Sequence, residues 1–118
     1  IEGFIYFYDC GGCGQQIVIP PQGKVGTCQA YCGNEKYFVN IDDGFDPHSH
    51  PIWDEWRHRS PLFMEQCKNC IALSVCGGGC PYSANVRSGS IWEIDESYCV
   101  HAKATTEFLI KDLIKKVS

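Results

Sequence analysis

The alternation of apolar and polar positions divides the chain into a β-rich first third, an irregular middle and a helical end. Residues 1–8 (IEGFIYFY) are β-branched and aromatic and predict a strand that continues from something upstream. Residues 15–20 and 24–28 flank Pro21-Gln22-Gly23, where Gly23 supplies the positive φ of a tight reversal. These two runs predict a β-hairpin with cysteines at both ends. Residues 37–41 alternate as a further short strand. Residues 42–61 carry Gly44, Pro47, Pro51 and Pro61 and predict irregular chain, with one helical turn around 53–58. Ser88-Gly89 predicts a turn ahead of a second small strand at Ser90-Ile91-Trp92. Residues 102–117 set Leu109, Ile110, Leu113, Ile114 and Val117 on one face with Lys111 and Lys115 opposite, which predicts an amphipathic helix. Lys115 and Lys116 suit its C-terminus electrostatically.

Composition changes this picture in one respect. The 118 residues are 44% hydrophobic, ordinary for a globular protein. A domain of this size buries only about two-thirds of the surface its unfolded chain exposes, so covalent or metal staples are expected. Nine cysteines supply the means. Their odd number weakens a disulfide scaffold, and no segment has the form of a signal peptide, although the chain starts without Met. Metal thiolates place the protein in a reducing cytoplasm. A net charge of −4 argues against nucleic acid as a partner, and no stretch approaches the length of a membrane span.

The thiols fall into an N-terminal group, Cys10, Cys13, Cys28 and Cys32, and a C-terminal group, Cys67, Cys70, Cys76, Cys80 and Cys99. The second group reads C-x2-C-x5-C-x3-C-P, with eighteen residues between Cys80 and Cys99. A C-x2-C loop curls round one metal unit and fits zinc or iron–sulfur alike. Gly77-Gly78-Gly79 lets the main chain pass close to a bulky inorganic core and aim N–H groups at its sulfurs, which favours iron–sulfur. Bacterial two-cluster ferredoxins end their motif in the same way, and there the cysteine before proline serves the other cluster. By that analogy Cys67, Cys70, Cys76 and Cys99 hold one cluster. Cys10, Cys13 and Cys28 with Cys80 hold the other, and Cys32 is spare. Two zinc sites with the same partition, and a disulfide scaffold, stand as alternatives.

With these residues the chain resembles the SPASM domain, the auxiliary-cluster module at the C-terminus of many radical S-adenosylmethionine (SAM) enzymes. The family pattern sets a glycine between two early cysteines; here nine residues separate Cys13 from Gly23 and four separate Gly23 from Cys28. Counted from Cys10 the first gap is twelve. Cys67, Cys70, Cys76, Cys80 and Cys99 match the remainder, as does Gly77-Gly78-Gly79-Cys80-Pro81-Tyr82. The resemblance implies a first auxiliary [4Fe–4S] cluster on Cys10, Cys13, Cys28 and Cys80 and a second on Cys67, Cys70, Cys76 and Cys99. The chain departs from the pattern in the closeness of Cys10 to Cys13 and in the extra Cys32. Were one of these three not to ligate, an iron would stay open to substrate.

The family's catalytic C-x3-C-x2-C is missing, because Glu35 and Ser83 stand where the third cysteine belongs. The resemblance therefore assigns SAM and a third cluster to a core upstream of Ile1, and this chain alone is expected to be inactive. It implies residues 1–9 as a strand or linker from that core, 10–100 as the two-cluster domain and 101–118 as a C-terminal helix. The expected fold is small, cysteine-rich α+β, with short β-hairpins and loops wrapped around two clusters. The implied role is electron transfer and substrate positioning in peptide or protein modification. Its partners would be the upstream barrel of the same chain, a peptide or protein substrate and an external electron carrier. A stand-alone ferredoxin-like carrier and a zinc-stabilised interaction module are the rival readings.

Other residues have blander expectations. His48 and His50 share a side of an extended loop, as metal ligands would, but read better as a solvated loop; His101 reads as a surface histidine, and Asp42, Asp43 and Asp46 as a solvated turn. Trp53, Trp56 and Trp92 are expected in the core, and Arg57, Arg59 and Arg87 in salt bridges to carboxylates. The C-terminal helix is expected to pack on its own domain or on the missing barrel.

Overall fold

The computed structural model of the chain describes residues 7–118 apart from 22, 35 and 43. Residues 1–6, which hold most of the predicted first strand, and Gln22, at the centre of the predicted turn, lie outside the described residues. Among the described residues the chain is a small α+β arrangement: β1 (Lys24–Gly26), β2 (Phe38–Asn40), α1 (Pro51–Arg57), α2 (Pro81–Ser88) and α3 (Glu96–Val117), joined by loops and short 3-10 turns. No helix among them is long and apolar enough to cross a membrane.

The two strands pair antiparallel, with Lys24 opposite Asn40, Val25 opposite Val39 and Gly26 opposite Phe38. The predicted hairpin between 15–20 and 24–28 shrinks to one bridge, Val18 with Gly26, whose N–H groups each donate to the other's carbonyl at 2.9 Å. The reason lies in what each run can bury. Ile17 and Ile19 are exposed, whereas the Phe38 ring lies against Gly26 so closely that a Cβ there would collide with it. That close approach selects residues 38–40 as the strand partner.

Helix α1 is two turns long, not one, because Pro51 opens the helix instead of breaking it. At the first helical position proline lacks only an N–H that would be unpaired anyway. The His50 ring Nδ1 accepts from Ile52 N–H at 3.2 Å and caps the helix. Trp53 and Trp56, three apart, both fall on the buried face. Helix α2 lies where no element is predicted. Cys80 is its N-cap, Pro81 its first residue, and Gly89 at φ +89° ends it in the left-handed conformation. Ser90-Ile91-Trp92 forms a turn, not a strand: the Ile91 side chain is buried, and its carbonyl is taken by the Arg59 side chain.

Helix α3 begins at Glu96, six residues before the predicted start, so Cys99 lies in its first turns and the helix runs across the expected boundary at 100/101. Its apolar stripe is not packed on the domain. Leu109, Leu113 and Ile114 are all more than half exposed, and the helix has no buried residue.

The core sits between α1, α2 and the 3-10 turn at Gln29–Tyr31. Tyr31, Trp56 and Ile91 are its buried centre, with Cys28, Tyr37, Phe38, Ile52 and Tyr82 against it. The Tyr31 ring meets Tyr37, Trp56 and Tyr82 edge-on at 5.2, 6.1 and 5.1 Å. Each such pair adds about 0.5–1.5 kcal/mol beyond area burial. Trp53 and Trp56 meet the core expectation; Trp92 is exposed.

Candidate functional site

The segment 76–80 organises the cysteines, and packing dictates its three glycines. A Cβ on Gly77 would strike the Tyr8–Asp9 backbone, one on Gly78 the Arg59 guanidinium and Pro61, and one on Gly79 the Asp95 side chain. Gly78 and Gly79 also have φ of +95° and +73°, where only glycine is unstrained. Gly78 N–H donates to Cys76 Sγ at 3.3 Å, but Gly79 N–H goes to the Asp9 carboxylate at 2.7 Å and Cys80 N–H to the Asp95 carboxylate at 3.0 Å. Two further N–H···S contacts come from Ala72 to Cys70 and from Ser83 to Cys80, each at 3.4 Å.

All nine cysteines are free thiols. Cys67, Cys70, Cys76 and Cys99 line one partly enclosed cavity, whose remaining wall includes Pro61, Met64, Leu73, Ile94 and Tyr98. Burial pushes the Cys67 thiol pKa up, and the neighbouring Cys70 and Cys99 add to the effect. Burial likewise raises Cys76, opposed by the Gly78 N–H and reinforced by Asp9, Cys67 and Cys70. Cys80, four residues beyond Cys76, is not on that wall.

Cys80 is among the charges that act on Cys28 of the N-terminal group. Burial raises the Cys28 thiol, and Cys80, Cys10 and Cys32 are the charges that add to it. Cys13 is buried and donates a hydrogen bond to Cys10, which holds the Cys10 thiol down at about 6 and drives Cys13 up. The loop 10–16 is pinned by Trp53 Nε1, which donates to Gln16 O at 3.0 Å, and by Gln16 Nε2, which donates to Thr27 O at 2.9 Å. Cys32 is exposed beside Cys28, at the edge of the set. Among the described residues no three potential ligands converge as a single bound ion requires.

Among the described residues the buried side-chain atoms Thr27 Oγ1, Trp56 Nε1 and Ser60 Oγ have no hydrogen-bond partner. Thr27 precedes Cys28, and a side chain at Gly12 would touch both Cys10 Sγ and the Trp56 ring. Unpartnered buried donors are costly in a dry core, so a group bearing acceptors fits beside them.

Of the three arginines, Arg57 meets the salt-bridge expectation through Asp54, while Arg59 donates to carbonyls and Arg87 to a hydroxyl. Arg57 donates to Pro47 O and His48 O at 3.0 Å each and stands 3.8 Å from Asp54; Arg87 donates to Ser97 Oγ at 2.6 Å. Arg59 is fully buried and donates to the carbonyls of Ile91, Gly78 and Glu93. His50 serves as a cap, and His101 is exposed. Asp42 and Asp46 accept from Gly44 and His48 N–H in their own turns.

Arg59, Asp95 and Asp9 are the site residues that sequence reasoning misses. Asp95 carries a signal, an acidic residue just before a helix, but that signal points to a cap. Its side chain makes no capping bond to α3 and binds Cys80 N–H instead.

No family model matches the chain. Over 107 residues it is 29% identical to the radical SAM cyclopropyl synthase TigE of Paramaledivibacter caminithermalis. The alignment covers 91% of this chain and 21% of that protein, so the chain spans about a fifth of the length of the curated relative it matches. Over nearly its whole length, then, this cysteine-rich chain is similar in sequence to part of a radical SAM enzyme.

Proposed function

We propose that the chain is an auxiliary iron–sulfur module of a radical SAM enzyme, of the SPASM type. The observation that carries this reading is the cavity walled by Cys67, Cys70, Cys76 and Cys99, the four thiols of the proposed second [4Fe–4S] cluster. The first cluster is assigned to Cys10, Cys13, Cys28 and Cys80. The electrostatic neighbourhood of Cys28, which holds Cys80 together with Cys10 and Cys32, supports the share of Cys80 in that group. Thiols spread around a cavity suit a core of several atoms.

A bound cluster takes up or gives up one electron at a time. The chain's own groups set the conditions for that. N–H donors at Ala72, Gly78 and Ser83 stabilise negative charge on Cys70, Cys76 and Cys80. Pro61, Met64, Leu73 and Ile94 keep water from the cavity. The role is electron transfer and substrate positioning during modification of a peptide or protein. SAM and a third cluster belong to a barrel elsewhere in the same polypeptide, with an external electron carrier as redox partner and the cytoplasm as compartment. The exposed stripe of α3 offers that barrel an apolar surface.

Anaerobic reconstitution with iron and sulfide tests the reading. The expected product is coloured and contains iron and inorganic sulfide in equal amounts, enough for two four-iron clusters. A colourless protein holding zinc and no sulfide would replace the cluster reading with a zinc-stabilised module.

A further inference from the structure

Arg59 and Asp95 are the buried charged side chains among the described residues, and Arg59 is wholly enclosed. Its Nε donates to Ile91 O at 2.6 Å, one terminal nitrogen to Gly78 O and the other to Glu93 O at 2.9 Å. None of these acceptors carries a charge. The Asp95 oxygens are occupied by Cys80 N–H at 3.0 Å and by the Ser83 hydroxyl at 3.4 Å. Burying a cation without a hydrogen-bonded counter-ion costs several kcal/mol, so the position calls for a source of negative charge nearby.

The charges that act on the guanidinium belong to Cys13, Asp95, Cys67 and Cys80. Two of these thiols belong to the N-terminal set, and Cys67 belongs to the set around the cavity. Gly78, whose carbonyl Arg59 binds, lies on the cavity wall between Cys76 and Cys80. The side chain therefore sits where the two sets meet, held by main-chain oxygens that keep it from turning to either side.

We propose that Arg59 is a positioning residue common to both cysteine sets, a fixed positive charge that favours one-electron reduction of a cluster on either one. The inference rests on the two-cluster reading above. A four-iron cluster on four thiolates carries net negative charge and gains one more unit on reduction. A cation held in a poorly solvated interior lowers the energy of that added electron at both places. Its hold on Gly78 also fixes the loop that sends Cys76 to one set and Cys80 to the other.

The test uses the full-length protein, reconstituted anaerobically, as wild type, Arg59→Lys and Arg59→Gln. Iron and sulfide are assayed, and the midpoints of both clusters are followed by electron paramagnetic resonance during titration with dithionite as reductant. The expected result is wild-type iron content in both variants, both midpoints shifted to more negative potential in Arg59→Gln, and a smaller shift in Arg59→Lys. Loaded Arg59→Gln with unmoved midpoints, or with a shift at one cluster alone, overturns the proposal. Where Arg59→Gln does not load, Arg59→Lys decides: loaded Arg59→Lys with unmoved midpoints, or with a shift at one cluster alone, overturns the proposal. A wild-type protein that takes up no iron or sulfide overturns the two-cluster reading and this proposal together.

Discussion

Asp95 Oδ2 accepts the backbone N–H of Cys80 at 3.0 Å, while Oδ1 faces the Ser83 hydroxyl at 3.4 Å. The residue that heads α3 thus anchors the start of α2 and fixes the backbone of the cysteine before the proline. Asp95→Ala leaves that N–H without its acceptor and is expected to cost about 1–3 kcal/mol. Asp95→Asn keeps an acceptor and loses less. Urea unfolding of the three proteins under matched anaerobic conditions checks this; an alanine variant as stable as wild type would refute the anchoring role.

The glycine run makes a second, purely steric prediction. Gly77→Ala puts a methyl group into the Tyr8–Asp9 backbone and is expected to cost about 1–3 kcal/mol through overpacking. Gly44→Ala is the control, since its methyl meets no atom closer than 3.6 Å. The control is expected to stay within about 0.5 kcal/mol of wild type. Thermal unfolding of the pair separates steric need from glycine content.

Cysteine replacement tests how the thiols are shared out. Cys32→Ala is expected to retain all iron, because that thiol is the one the two proposed ligand sets leave spare. Cys99→Ala is expected to lose the cluster proposed for the cavity, and Cys80→Ala the one proposed for the N-terminal set. Iron and sulfide assays with electron paramagnetic resonance distinguish the two losses. Full iron in Cys80→Ala would defeat the assignment of that thiol to the N-terminal set.

Stability is concentrated in the aromatic core. Trp56 is fully buried against Tyr31 and Tyr37, and Trp56→Ala is expected to cost about 3–5 kcal/mol. Leu113 on α3 is 52% exposed, so Leu113→Ser is expected to stay within about 0.5 kcal/mol of wild type. Denaturant midpoints give the contrast, and a large loss for Leu113→Ser would show that the stripe is covered in solution.

Tyr31 links the core to pH. Burial pushes its phenol from 10.0 up to about 12. Below the lower value both folded and unfolded chains keep the proton, and its contribution to stability is complete. As pH rises from 10.0 towards about 12 the unfolded chain ionises first, so stability falls. Tyr31→Phe is expected to flatten this alkaline limb. Unfolding measured across that window, in wild type and variant, isolates the residue; identical slopes would contradict the assignment.

The pairing of Cys10 with Cys13 and of Cys67 with Cys70 is legible in the sequence because a C-x2-C spacing is local, whereas Cys80, only four residues from Cys76, is off the cavity wall that Cys76 lines, which no spacing reveals. Helix α2 is not legible, since its buried positions are only Pro81 and Ala84 and its signals lie at its ends, one of them a cysteine serving as cap. The strand partner of Lys24–Gly26 turns on the Phe38 ring lying against Gly26, which no run of β-formers reveals. Arg59 is the least legible residue of the site. Its carbonyl partners lie 19, 32 and 34 residues away along the chain, and nothing local distinguishes it from Arg57 or Arg87.

The placement of the tryptophans gives the protein an optical gauge of its own state. Trp53 and Trp56 are enclosed and emit towards the blue, while Trp92, 36% exposed, emits towards the red. A side chain at Gly12 would touch both Cys10 Sγ and the Trp56 ring, so a coloured prosthetic group at Cys10 would quench Trp56. Were the N-terminal thiols to hold the proposed cluster, filling that site would dim the blue side of the fluorescence spectrum and oxidative bleaching would restore it. Occupancy can be followed by fluorescence in a sealed cuvette without removing sample.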